Sequence, residues 1–248
     1  MEWVIRVIAG GFLSAGVAFV AHRRGALTES GAWAAALTGT VLVLAGWHWL
    51  ALVGVFFITS SIVTHLDPPG VDAPHSHDRV GRRWQQVAAN GGIATLAAVL
   101  YAATGWPQGF GVAAGAVAAA TADTWATELG RWSRTRPRLI TTGRPVTPGA
   151  SGGVTPTGTL ASVAGALLIA AVAASLPVTP PAGDVGGTHP RFAWAAWITV
   201  AGITGSLLDS ILGATVEGRW RWLDNDMVNV AATASGAAVM LYVTTSRL

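Results

Sequence analysis

Apolar residues run through this chain in eight stretches, separated by short breaks or by polar, Gly- and Pro-containing segments. The stretches cover residues 3–21, 32–45, 47–64, 87–104, 109–129, 157–176, 192–214 and 227–245. A membrane-spanning helix needs about 20 largely apolar residues, so each is a candidate span. The shorter ones fit if they tilt or sit behind neighbouring helices. Gly46 marks a very tight turn between the second and third, and residues 105–108 a short turn between the fourth and fifth. Three breaks, 65–86, 130–156 and 216–226, are too long to be simple turns, and long ordered loops are usually functional. The second is dense in Gly, Pro, Thr and Arg, which suits a folded anion-binding loop better than a linker. Segment 177–190, rich in Pro and Gly and without Arg, reads as a spacer.

The arginines orient the helices. With the N-terminus outside, twelve fall on the cytoplasmic side: Arg23, Arg24, Arg79, Arg82, Arg83, Arg131, Arg134, Arg136, Arg138, Arg144, Arg219 and Arg221. Only Arg6, Arg191 and Arg247 lie opposite. That is the positive-inside asymmetry of a multi-pass protein of the cell membrane. The start of the chain lacks the basic opening and small-residue cleavage site of a signal peptide. The predicted fold is therefore all-α. A single polytopic transmembrane bundle of about eight helices spans residues 1–248, both termini lie outside, and the three long loops face the cytoplasm.

Composition agrees and narrows the chemistry. The chain is 52% hydrophobic and 11% charged, where soluble domains carry roughly 25% charged residues. There is no Cys, which excludes a disulfide framework, a thiolate zinc site and a thiol nucleophile. There is no Lys either, which excludes a Schiff-base lysine and the GK[ST] phosphate loop. The arginines lie between apolar spans, so they read as topology signals and anion binders rather than as a nucleic-acid surface. The 12 Trp mostly flank the spans, as an aromatic belt does.

Ionisable residues inside membrane helices are costly and mark function. Asp123 and Glu128 stand near the end of the fifth span and Asp209 near the end of the seventh. Asn225, Asp226 and Asn229 open the eighth, and Gln86 and Asn90 the fourth. All fall at the predicted cytoplasmic face. Gly202, Ser206, Asp209 and Gly213 form one stripe at helical spacing; Asp226, Asn229 and Thr233 form another, and Arg83, Gln86 and Asn90 a third if the fourth helix starts early. Asp123 and Glu128 are roughly 140° apart on a regular helix. They line adjacent walls of one cavity rather than chelate one ion as neighbours. A capping role is the alternative for Asp226 and Glu128. Oxygen ligands without Cys suit Mg2+, which takes one or two carboxylates plus phosphate oxygens and water.

Segment 137–154 offers a phosphate cradle. Its glycines let backbone N–H groups approach an anion, its hydroxyls add donors, and Arg144 supplies a bidentate fork. A simple turn has the same composition, and so does Asn90-Gly91-Gly92 at a helix start. His65, Asp67, His75, His77 and Asp78 lack metal-motif spacing, and His48 between two Trp reads as interfacial.

Together, Gln86-Val-Ala-Ala-Asn-Gly-Gly92, residues 121–130, Leu139-Ile-Thr-Thr-Gly-Arg144, Pro148-Gly-Ala-Ser-Gly-Gly-Val154, residues 206–216 and Asn225-Asp-Met-Val-Asn229 resemble a known integral membrane family. It includes transmembrane protein 19 and the plant phytyl-phosphate kinase. The resemblance covers nearly the whole chain in order. It implies a kinase that converts an isoprenoid (phytyl, geranylgeranyl or polyprenyl) monophosphate to the diphosphate, with a nucleoside triphosphate such as CTP as co-substrate. On that basis Asp123, Glu128, Asp209 and Asp226 are expected to hold Mg2+ or orient its waters. Asn90 and Asn229 position phosphate oxygens. Gly91, Gly92, Thr141, Thr142, Gly143, Arg144, Ser151, Gly152 and Gly153 cradle the nucleotide phosphates, and Arg82 and Arg83 hold the lipid phosphate. The expected partners are nucleotide, lipid phosphate and membrane lipids. The same parts also suit a lipid-phosphate cytidylyltransferase, and intramembrane Asp123 and Asp209 suit a transporter.

Overall fold

The computed structural model describes residues 2–66, 81–178 and 190–246. Among these residues the helices are α1 (Glu2–Arg23), α2 (Glu29–Ala45), α3 (Trp47–Thr64), α4 (Trp84–Thr104), α5 (Gly109–Gly130), α6 (Pro156–Ser175), α7 (Pro190–Thr215) and α8 (Asn225–Thr245). A two-residue ladder, β1 (Arg138–Leu139) with β2 (Gly153–Val154), lies between α5 and α6. Each apolar stretch has become one helix, and the protein is a polytopic helical membrane protein. Arg79, Asp67, His75, His77 and Asp78 and most of the 177–190 spacer lie outside the described residues.

Local chemistry sets the boundaries. Gly46, at φ 138°, ends α2 and starts α3. The hydroxyls of Thr28 and Thr155 accept the N–H groups of Gly31 and Gly158 at the starts of α2 and α6, and Asp224 accepts that of Met227 at the start of α8. The fourth helix does start early, because Gln86 Oε1 accepts the Arg83 N–H. Inside the helices, hydroxyls such as Thr40, Thr95 and Thr121 donate to the carbonyl four residues back, which hides their polarity from the apolar surroundings.

Among the described residues, six helices are long and apolar enough to cross a membrane: α1, α3, α4, α6, α7 and α8. Two of the eight expected spans differ. α2 has 17 residues, and α5 is built largely of Ala and Gly. α5 is buried continuously from Gly109 to Ala122 and packs against α3, α4, α6, α7 and α8. Its small residues make that possible. At the α5–α8 crossing, a Cβ on either Gly115 or Gly236 would strike the other's backbone carbonyl. A helix walled in by others does not need a strongly apolar surface of its own.

α1 and α2 pack together on one flank, with α2 against α4. α1 exposes Trp3, Ile5, Ile8, Phe12 and Phe19, a surface for lipid. At the end bearing Gly46, Phe110 meets Trp49 edge-on at 5.2 Å and lies 6.0 Å from Trp194. These two Trp are core residues rather than members of the belt. His48 joins that cluster, 5.3 Å from Phe110. The antiparallel course of the helices brings the C-terminal ends of α1, α3, α5 and α7 and the N-terminal ends of α2, α4, α6 and α8 to the other end. There the Thr28 N–H donates to Arg82 O and Arg83 meets Asp226.

Candidate functional site

Two carboxyl groups define this end of the bundle. Asp123 lies seven residues before the end of α5 and Asp209 six before the end of α7. Their side chains meet in a hydrogen bond. Asp209 Oδ2 is buried and accepts from no N–H or hydroxyl among the described residues. Glu217, just past α7, stands within electrostatic range of Asp209. Glu217 has a sequence signal: the 202, 206, 209, 213 stripe extended by four residues reaches 217, inside the 216–226 break.

The other two expected carboxylates are elsewhere. Glu128 is buried and makes a 2.8 Å ion pair with Arg131, three residues on. This is the divergence from Asp123 that the helical period requires. Asp226 pairs with Arg83 at 3.3 Å. It sits in the first turn of α8, and the cap is Asp224. Among the described residues, no group of three His, Cys, Asp or Glu side chains is placed to hold a metal ion.

The amides line the same end. Asn229 is buried on α8, one turn before Thr233, whose hydroxyl lies 3.1 Å from Ala89 O and ties α8 to α4. Asn90 is half-buried and donates to Gln86 O. Gly91 is buried, while a Cβ on Gly92 would meet nothing.

Segment 137–154 is a folded loop. β1 and β2 pair with Arg138 opposite Val154 and Leu139 opposite Gly153. A turn at Leu139–Arg144 is closed by Leu139 N–H to Arg144 O and Gly143 N–H to Leu139 O, and Arg138 Nη1 donates to Gly143 O at 2.8 Å. The Ile140 N–H bonds Gly152 O, so the two halves of the expected cradle are neighbours. Thr141, Thr142, Gly143 and Arg144 are exposed at the tip. Gly152, at φ 75°, presses on α7: a Cβ there would come within 2.6 Å of Ala214 Cα. A Cβ on Gly213 would in turn meet Gly152 N, Glu217 Oε2 and Ser151 Cβ at 3.0–3.4 Å. The glycine segment is thus seated beside the acidic group.

The two adjacent arginines part company. Arg83 is exposed and turned towards Asp226. Arg82 is 7% exposed, donates to Ser61 Oγ at 3.3 Å, and lies over the rings of Phe56 and Phe57. It lines a largely apolar cavity of ≈ 310 Å³ between α1, α2, α3 and α4, together with Gln86 and Asn90.

Residues 12–237 match the family described as integral membrane protein DUF92. The chain belongs to this family. It is 35% identical to Protein PGR of Arabidopsis thaliana, over 86% of this chain and 79% of that protein. It is 33% identical to an uncharacterized membrane protein of Methanocaldococcus jannaschii, over 98% of both chains. An uncharacterized membrane protein of Synechocystis is 30% identical, over 96% of this chain and 90% of its own length. No solved structure matches.

In this DUF92 protein the donor set fits a hard divalent cation. Asp123 and Asp209 bring carboxyl oxygens together, and the buried Asp209 Oδ2 has no N–H or hydroxyl donor among the described residues. Two carboxyl groups this close require a proton or a cation between them. Mg2+ needs only one or two protein carboxylates when phosphate and water complete its shell.

Proposed function

We propose that this protein is a membrane-embedded kinase that transfers the terminal phosphoryl group of a nucleoside triphosphate, CTP or a similar one, to an isoprenoid monophosphate. The observation that carries this reading is the Asp123–Asp209 carboxyl pair, with its orphaned oxygen, set beside a glycine segment seated on α7. An oxygen of the lipid phosphate attacks the γ-phosphorus, and the bond from that phosphorus to the β,γ-bridging oxygen breaks. The products are the lipid diphosphate and a nucleoside diphosphate. Such a transfer asks a protein mainly for positioning and charge neutralisation.

Asp123 and Asp209, with Glu217 in support, would hold Mg2+, which neutralises charge on the transferring phosphates when bound. The backbone of Gly152 and Gly153, the Ser151 hydroxyl and the Thr141–Arg144 turn receive the nucleotide phosphates. Asn229 and Asn90 orient phosphate oxygens, with Gly91 and Gly92 leaving room beside them. Arg82 and Arg83 take the lipid phosphate; Asp226 holds Arg83 in place, and Glu128 anchors Arg131 at the loop's root. The site faces the cytoplasm of a cell membrane, where nucleotides are found. The pair's position within two turns of the helix ends favours a surface reaction over midplane ion coupling.

The test is purified protein with labelled nucleotide and a prenyl monophosphate. A kinase releases nucleoside diphosphate. Release of pyrophosphate would make the protein a cytidylyltransferase, and release of neither would remove both readings.

A further inference from the structure

The cavity between the first four helices has a polar end and an apolar body. Gln86 and Asn90 come from the start of α4, and Arg82 from just before its cap, at the site end. Elsewhere the lining is aliphatic and aromatic, with the hydroxyls of Ser14 and Thr38 as the polar exceptions. On α3 the lining runs from Leu50 to Ile58, roughly 12 Å of helix. Ser61, the partner of Arg82, follows about one turn later. A buried guanidinium therefore stands at one end of an apolar trough that runs into the membrane region. Small residues keep the trough open: a Cβ added at Gly54 would meet nothing within 4 Å.

We propose that this cavity seats the apolar chain of a single-chain lipid whose anionic head rests at Arg82. Its volume is at the low end of ligand pockets, which suits one chain rather than the two of a diacyl lipid. A guanidinium fork matches a phosphate head better than a point charge does. The identity of the head rests on the phosphoryl-acceptor reading above; the seat of the chain does not. Both arginines immediately precede α4, but only Arg82 lines the trough. The chain is thereby held among α1–α4, and its head lies at the end of the trough where α4 begins.

The experiment uses the full chain in lipid nanodiscs with a diazirine-tagged C15 prenyl monophosphate. After photolysis, adducts should map to lining residues such as Val17, Val53 and Phe57. Gly54→Phe fills the trough and should cut labelling by about 10-fold or more, since a single methylene in such a pocket already matters that much. Its thermal stability should stay level or rise, because Gly is a poor helix residue and the space is empty. Unlabelled prenyl monophosphate should compete, and prenyl alcohol, a C15 fatty acid and phosphatidate should compete much less. Adducts on other helices, or undiminished labelling of a folded Gly54→Phe protein, would overturn the seat. Equal competition by the fatty acid would overturn the phosphate head. Labelling of the trough without nucleoside diphosphate release would leave the seat standing and remove the kinase reading. Diphosphate release with adducts elsewhere would do the reverse.

Discussion

Asp123 on α5 and Asp209 on α7 share a hydrogen bond across two helices, and Asp209 Oδ2 is buried without a hydrogen-bond donor among the described residues. If this pair holds Mg2+, Asp123→Asn and Asp209→Asn each keep the shape of the site and lose the charge that binds the ion. Each should lower activity by about 100-fold or raise the Mg2+ requirement correspondingly. Neither should lower thermal stability in detergent, because the amide still donates to the facing carboxyl group and removes the need for a proton or cation between the two. Mutants that unfold but keep a normal Mg2+ titration in the surviving fraction would make the pair structural.

Glu217 lies within electrostatic range of Asp209. Glu217→Gln should raise the Mg2+ requirement by about 10-fold, less than either aspartate change. A Mg2+ titration identical to that of the parent protein would place Glu217 outside the site.

Glu128 gives the opposite signature. Its buried ion pair with Arg131 means that Glu128→Gln strands a guanidinium. The expected loss is roughly 2–4 kcal/mol, below the fully buried figure because Arg131 keeps some solvent contact. The melting temperature should fall while the Mg2+ dependence of the folded protein stays unchanged. A shifted Mg2+ titration at parent-like stability would return Glu128 to the metal-binding group.

Gly149 and Gly152 both have positive φ, but only Gly152 is pressed against α7. Gly149→Ala should cost about 1–2 kcal/mol of local strain and leave nucleotide binding close to that of the parent. Gly152→Ala should also push the loop off Ala214, and a displacement near 1 Å is enough for about 100-fold in transfer rate. Calorimetric nucleotide binding alongside the rate checks this, and equal behaviour of the two variants would make the seating irrelevant.

The arginine asymmetry predicts sidedness. The chain has no native Cys, so single cysteines at Arg134 and Gly218 should react only with a reagent on the cytoplasmic side, and one at Gly183 only from outside. Labelling of Arg134 and Gly183 from the same side would refute the eight-helix topology.

The number, order and approximate limits of the helices were legible in the sequence, because spans of this length and apolarity leave the backbone no other way to satisfy its polar groups in lipid. The family was legible too, since its motifs are local strings. Which helix becomes the centre was not. α5 is built largely of Ala and Gly, and its place follows from how closely Gly115 and Gly236 let two backbones approach. The carboxylates were all visible, and their angular spacing already separated Asp123 from Glu128. Partner choice was not visible, because it depends on which side chain a second helix presents. Asp209 turns to Asp123, Asp226 to Arg83, and Glu128 to its own Arg131. Glu217 went unassigned because the stripe was stopped at the helix end, although the chain beyond α7 keeps its side chain on the same face. Arg82 and Arg83 are neighbours of identical chemistry. Only packing decides that one is buried over Phe56 and Phe57 while the other reaches α8, because adjacent residues in extended backbone point to opposite sides.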